Sequence, residues 1–125
     1  MKNLALVLTM VSTLAFASGG GGGGGGEGGG NYVKMEPLTI NLKTNSYIQF
    51  TPQIKVRDQK DQDVVKTYMP VIRFEMIKSM IGREAEKVQT PAFMESFAEE
   101  VTELINGVLS GGIVKGVFFE SWIVQ

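Results

Sequence analysis

The amino-acid sequence predicts an α+β domain with a small mixed sheet of about three strands and two or three helices packed on one side, in the order β-β-α-α-β. Three observations support this fold class. Apolar residues alternate with polar ones across residues 33–56, recur at helical spacing across 64–80 and 93–109, and fill residues 113–124 densely. Strands and helices in this order are typical of a sheet with its helices on one face.

Residues 1–17 are expected to be a signal peptide or a short membrane anchor, apart from the folded domain at residues 32–125. A cationic start that includes Lys2 is followed by an apolar stretch from Leu4 to Phe16, which ends in the small-residue pattern Ala15-Phe16-Ala17. The apolar stretch is shorter than the roughly 20 residues that cross a bilayer. We expect cleavage after Ala17, with an uncleaved anchor as the alternative.

Residues 18–31 form a polyglycine linker, interrupted by Glu27. A phosphate-binding loop would need a strand before it, a helix after it and a Gly-Lys-Ser/Thr ending, and the sequence has none of these. We therefore interpret this segment as a flexible tether.

Two strands should form a hairpin across residues 33–42 and 48–56. Apolar side chains occupy alternate positions in both segments, and Thr44-Asn45-Ser46 between them favours a turn. Pro52 predicts a bulge or an edge position in the second strand, because proline cannot donate to a strand ladder. An open edge there could accept a strand from a neighbouring copy.

The first helical segment contains a proline, which leaves two interpretations open. Asp63 is expected to cap a helix whose apolar positions continue to Met80, and Gly82 should end it. Pro70 would either kink that helix or lie in the first turn of a new helix that begins near Tyr68 or Met69. We favour a short helical turn followed by a longer helix.

The last helix and strand are predicted from clearer signals. Thr90 is expected to cap a helix with Pro91 at its first position, followed by one apolar stripe that ends before residues 110–112. Residues 113–124 are apolar at alternate positions on both faces, with Phe119 on one face and Phe118 and Trp122 on the other. We expect a strand that is buried on both sides.

Composition excludes several classes of function. The chain has no cysteine and no histidine, which excludes disulfides, thiolate nucleophiles, histidine proton transfer and Cys/His zinc sites. Lysine and arginine alternate with acidic residues at a net charge of −1, which disfavours nucleic-acid binding. Two-carboxylate catalysis by the acidic group Glu95, Glu99, Glu100 and Glu103 is the alternative to a solvated helix face, which we favour. We therefore predict a non-enzyme with no cofactor, no metal and no nucleic-acid partner.

Three strings resemble the FliL family of flagellar basal body-associated proteins over nearly all of residues 32–125: Tyr32 to Leu42, Met69 to Arg73 and Val117 to Gln125. The resemblance implies a stomatin-like domain in the periplasm, at the inner membrane and the flagellar basal body. It also implies association with stator units of the MotA/MotB type or their sodium-driven counterparts, in a homo-oligomer that could be a ring. The alternative is an exported stomatin-like scaffold or secretion-apparatus subunit without a flagellar role.

Four residues of the predicted second helix are candidate partner contacts: Pro70, Arg73, Met76 and Met80. Arg73 could pair with Glu75, with Glu84 or with a carboxylate of a partner. Methionines suit an adaptable binding surface, but they also fill gaps in small cores, and the sequence favours the core.

Overall fold

The computed structural model of the protein describes residues 31–125. The predicted signal peptide or anchor and residues 18–30 of the predicted linker lie outside the described residues. The described elements are β1 (Tyr32–Lys34), β2 (Leu38–Asn41), β3 (Tyr47–Val56), α1 (Asp61–Thr67), α2 (Met69–Met80), a 3₁₀ turn (Lys87–Gln89), α3 (Pro91–Leu109) and β4 (Val114–Val124). None of the helices within residues 31–125 has the length and apolar character needed to span a bilayer.

The sheet is built around β3, which pairs with all three other strands. One edge of β3 carries β1 and then β2, and the other edge carries β4; every pairing is antiparallel. The α+β class is therefore confirmed, although the sheet is not mixed and has four strands. The extra strand arises because the first predicted strand is interrupted at residues 35–37, where Pro37 cannot continue the ladder. The expectation that the strand at residues 48–56 has an open edge is wrong, because β4 covers it.

The hairpin between β2 and β3 is confirmed. Thr44 and Asn45 have φ values of 61° and 60°, and the Leu42 N–H donates to the Ser46 carbonyl at 2.8 Å. Pro52 is tolerated in a central strand because it lies opposite the break between β1 and β2, where its carbonyl accepts from the Met35 N–H at 3.0 Å. The register shift near Pro52 confirms the expected irregularity.

Pro70 lies in the first turn of α2, so the two-helix interpretation is confirmed and the kink alternative is wrong. The first helix begins two residues before Asp63, which therefore does not cap it. Asp61 occupies the first position and is 5% exposed, because its carboxylate accepts from the Arg57 guanidinium at 3.1 and 3.3 Å. The Thr90 cap of α3 is confirmed: its hydroxyl accepts from the Phe93 N–H at 3.1 Å.

Two register shifts in β4 change which of its side chains share a face. Phe50 and Pro52 are two residues apart, but their partners Trp122 and Phe119 are three apart, so β4 carries an extra residue between them. Phe119 and Trp122 therefore both face the helices, in contrast to the prediction. Phe118 points away from the helices and is 54% exposed. The prediction of a strand buried on both sides is wrong, because α2 and α3 cover only one face of the sheet.

The core lies between that covered face and the buried sides of α2 and α3. Its largest side chains include Phe50 and Phe97, whose rings meet edge to face at 5.9 Å. Phe97 also stacks on Phe119 at 5.8 Å, and the Trp122 indole N–H donates to the Val88 carbonyl at 2.9 Å. These contacts join α3 to β3 and β4, and β4 to the 3₁₀ turn.

Candidate interaction surfaces

The four predicted contact residues divide between the core and the surface. Met76 and Met80 are 1% and 0% exposed, so their side chains fill the core, as the favoured alternative has it. Pro70 is exposed and Arg73 is half-buried. Met76 and Met80 are four residues apart, so they lie on the same side of α2. Both are buried, so this is the side that packs against the rest of the domain. Pro70 and Arg73 remain candidate contacts.

Arg73 lines a hollow of about 240 Å³ between α2 and the segment after β1. Its predicted partners are engaged elsewhere: Glu75 binds Lys78 at 3.4 Å and Glu84 binds Lys43 at 3.8 Å. Within residues 31–125 no carboxylate lies within ion-pair distance of Arg73. A guanidinium at the rim of a hollow can therefore bind an external carboxylate in a bidentate manner.

The opposite side of α2 carries a second apolar stripe, which is not among the contacts predicted from the sequence. We call it the α2 surface, defined by the exposed side chains of Val71 and Phe74 in α2 and of Tyr68 and Ile81, the residues that flank the helix. Tyr68, Val71, Phe74 and Ile81 are 44%, 44%, 60% and 54% exposed. They follow one another at intervals of three or seven residues, which places the last three on one side of the helix. The sequence contained this information as a second set of apolar residues at helical spacing, on the side of the helix opposite the buried set.

Charges border the α2 surface without covering it. The Lys78 ammonium lies 5.2 Å from the centre of the Phe74 ring and also pairs with Glu75. A helix that is apolar on both sides is normally buried on both sides, whereas α2 is covered on only one. The α2 surface is therefore the strongest candidate for a protein contact among the helices of the described residues.

The acidic group on α3 is exposed to solvent. Glu100 binds Arg83 at 3.5 Å, and Glu95, Glu99, Glu100 and Glu103 are all exposed. The residues from 31 onward contain no cluster of three or more carboxylates that could hold a metal ion. This geometry agrees with the solvated helix face that the sequence favoured.

Comparison of the sequence with known proteins places this chain in a family. A family model described as "Flagellar basal body-associated protein FliL" matches residues 32–125. The chain is also similar to a protein from Aquifex aeolicus (strain VF5) named "Flagellar protein FliL", with 28% identity over 92 residues. That match covers 71% of this chain and 57% of the relative, so the chain spans little more than half of the relative's length. With almost the whole described domain matched, this chain belongs to the FliL family of flagellar basal body-associated proteins.

Proposed function

We propose that this chain is a flagellar motor accessory protein that associates with stator units, of the MotA/MotB type or sodium-driven, and supports torque generation in swimming and swarming. Family membership supports the flagellar context. The α2 surface is the observation that carries the rest, because it offers an apolar helix side for protein contact. In this proposal the chain acts by binding and not by catalysis.

The α2 surface suits a helical or extended segment of a stator subunit. Its exposed apolar residues span Tyr68 to Ile81, about 20 Å along the helix axis at 1.5 Å per residue. Such a length matches three to four turns of a partner helix, which would pack its own apolar stripe against Val71 and Phe74. Arg73 lines the separate hollow between α2 and the segment after β1, where it would bind a carboxylate of a partner.

We further propose that the domain works in the periplasm, at the inner membrane and basal body, as a homo-oligomer. A domain of about 95 residues buries a modest share of its surface, so repeated contacts with neighbours would stabilise it appreciably. The leader, whether cleaved or retained, would deliver it there. Intact mass combined with membrane fractionation distinguishes a chain cut after Ala17 from an anchored one.

The decisive experiment is complementation of a deletion strain by the full chain or by the Phe74→Glu variant. The wild-type chain should restore swimming and retain stator subunits on crosslinking and co-purification. Phe74→Glu should fold, because Phe74 is 60% exposed, but should restore neither property. A carboxylate at the centre of the α2 surface would have to be desolvated on binding.

Gln59→Glu is the matched control, since it adds the same charge at an exposed position before α1. It should behave as the wild-type chain does. Normal motility of the deletion strain together with an envelope defect would favour the exported scaffold or secretion-apparatus alternative. Normal motility and stator retention with Phe74→Glu would remove the α2 surface from the proposal.

A further inference from the structure

A groove of about 390 Å³ runs between α3 and β4, on a different part of the domain from the α2 surface. Its floor is apolar, with Met94 and Ala98 from α3 and Val117, Phe119 and Trp122 from β4. The groove is lined by β4, and β4 pairs with β3 along one edge, so its other edge faces away from β3. In the described part of the chain no strand pairs with that edge.

The edge of β4 is closed at its first residue and open beyond it. The Val114 N–H donates to the Asn106 Oδ1 at 2.8 Å, and the Asn106 Nδ2 donates to the Val114 carbonyl at 2.9 Å. The Asn106 side chain thus takes the place that a neighbouring strand would occupy at Val114. An extended backbone could pair with the remainder of the edge, Val117 to Val124, which is about 23 Å long at 3.3 Å per residue.

The direction of the backbone groups on this edge follows from the end of the β3–β4 ladder. Tyr47 and Gln125 exchange both backbone hydrogen bonds, at 2.7 and 2.9 Å. In an antiparallel ladder the hydrogen-bonded and non-hydrogen-bonded pairs alternate, so Val124 and Trp122 direct their N–H and C=O groups away from β3. These are the donors and acceptors that an added strand would bind.

The rim of the groove is acidic. Glu95 and Glu99 line it from α3, and neither has an ion-pair partner within residues 31–125. They are one helical turn apart, a rise of about 6 Å, close to the distance of about 6.6 Å between side chains on the same face of a strand. Two successive Lys or Arg side chains on one face of a bound strand could therefore meet both carboxylates.

A second copy of this chain is a poor occupant. Symmetric pairing of two β4 edges would bring Glu95 and Glu99 of both copies together, and like charges across an interface disfavour it. The opposite edge of the sheet is formed by β1 and β2, of three and four residues, and is interrupted by Pro37. It cannot pair along the length of β4.

We propose that the groove between α3 and β4 is a β-augmentation site for an extended basic segment of another protein, with valine-like and Lys or Arg side chains directed into the groove. The segment adds a strand to β4, its apolar side chains extend the core over Met94 and Ala98, and its cations neutralise Glu95 and Glu99. This site does not depend on stator binding by the α2 surface.

The test is a fluorescence titration of the full chain, because Trp122 is the single tryptophan and lines the groove. The probe is a capped eight-residue peptide with threonine at odd positions and valine, lysine, lysine and valine at even ones. The acidic control peptide has glutamate in place of both lysines. The basic peptide should change the Trp122 emission and the acidic control peptide should not. Added salt should reduce the emission change that the basic peptide causes.

Two matched variants separate the site from general charge attraction. Glu95→Lys with Glu99→Lys should weaken peptide binding by about tenfold or more, since attraction becomes repulsion. Glu86→Lys with Glu103→Lys makes the same charge change at exposed positions outside the groove and should alter binding by less than about twofold. Equal weakening by the two pairs would overturn the proposal.

The strand-pairing step has its own control. A basic peptide that is N-methylated at the amides facing β4 cannot donate to the ladder and should not bind. Binding by the methylated peptide, or no response of Trp122 to the basic one, would refute β-augmentation. If the Trp122 emission changes as the concentration of the protein alone is raised, with no peptide present, the edge of β4 binds a second copy of this chain and the proposal is wrong.

Discussion

Replacement of Asn106 by alanine should destabilise the domain through the first residue of β4. The side chain makes two hydrogen bonds with the backbone of Val114, which is 2% exposed. Each is worth about 0.5–1.5 kcal/mol, which gives a loss of about 1–3 kcal/mol. Alanine is the better helix former by up to about 0.7 kcal/mol, so we expect a net loss of roughly 1.5 kcal/mol.

Thermal unfolding followed by circular dichroism measures this loss. A destabilisation of 1 kcal/mol lowers the Tm of a domain of 60–100 residues by about 4–8 °C, so Asn106→Ala should melt about 6–12 °C below the wild-type chain. Asn106→Asp should lose at least as much, because a carboxylate would face the Val114 carbonyl. Hydrogen exchange of the Val114 amide should accelerate in both variants.

The control for Asn106→Ala is Glu103→Ala, an exposed position on the same helix. It should change the free energy of unfolding by no more than about 0.5 kcal/mol. Equal melting temperatures for the two alanine variants, with an unchanged exchange rate at Val114, would refute the role given to the Asn106 side chain.

Three further changes probe other contacts. Phe97→Ala should lower the free energy of unfolding by about 3–5 kcal/mol, because a fully buried ring would leave a cavity; a urea midpoint close to that of the wild-type chain would contradict this. Thr90→Ala should cost about 1 kcal/mol in thermal melts by removing the cap of the Phe93 N–H, while Thr90→Ser should stay near wild type. Asp61→Ala should cost about 1–2 kcal/mol by removing the ion pair with half-exposed Arg57, and a melting temperature unaffected by the change would show that the pair contributes nothing.

Local signals in the sequence predicted most of the elements. Thr90-Pro91 identified the start of α3, and the residues between the hairpin strands identified the turn, because capping and positive φ depend on a few adjacent residues. The buried stripe of α3 was equally clear, since one side of that helix is apolar and the other is acidic. These features need no knowledge of distant parts of the chain.

Features that depend on long-range pairing could not be predicted in this way. The extra residue in β4 moves Trp122 to the face of Phe119, and a period-two count has no means of detecting a bulge. The exposure of Phe118 depends on which face of the sheet the helices cover. Pro70 and Arg73 were candidate contacts because they lie in a string that resembles the family, and Met76 and Met80 because methionines suit adaptable binding surfaces, although both methionines are buried. The exposed stripe through Phe74 could be predicted only by knowing which side of α2 packs against the sheet.

The central place of β3 has a consequence for the order in which the domain can fold. Ile48 pairs with Val124, a separation of 124 − 48 = 76 residues. One whole edge of the central strand therefore cannot pair before the last described segment of the chain has been made. Contacts this distant in sequence slow folding, because the loop between them must close first. During synthesis or transport the edge of β3 that pairs with β4 therefore stays unpaired until residues 114–124 are present. The domain should be vulnerable to proteases until that moment and should then close in a single late step.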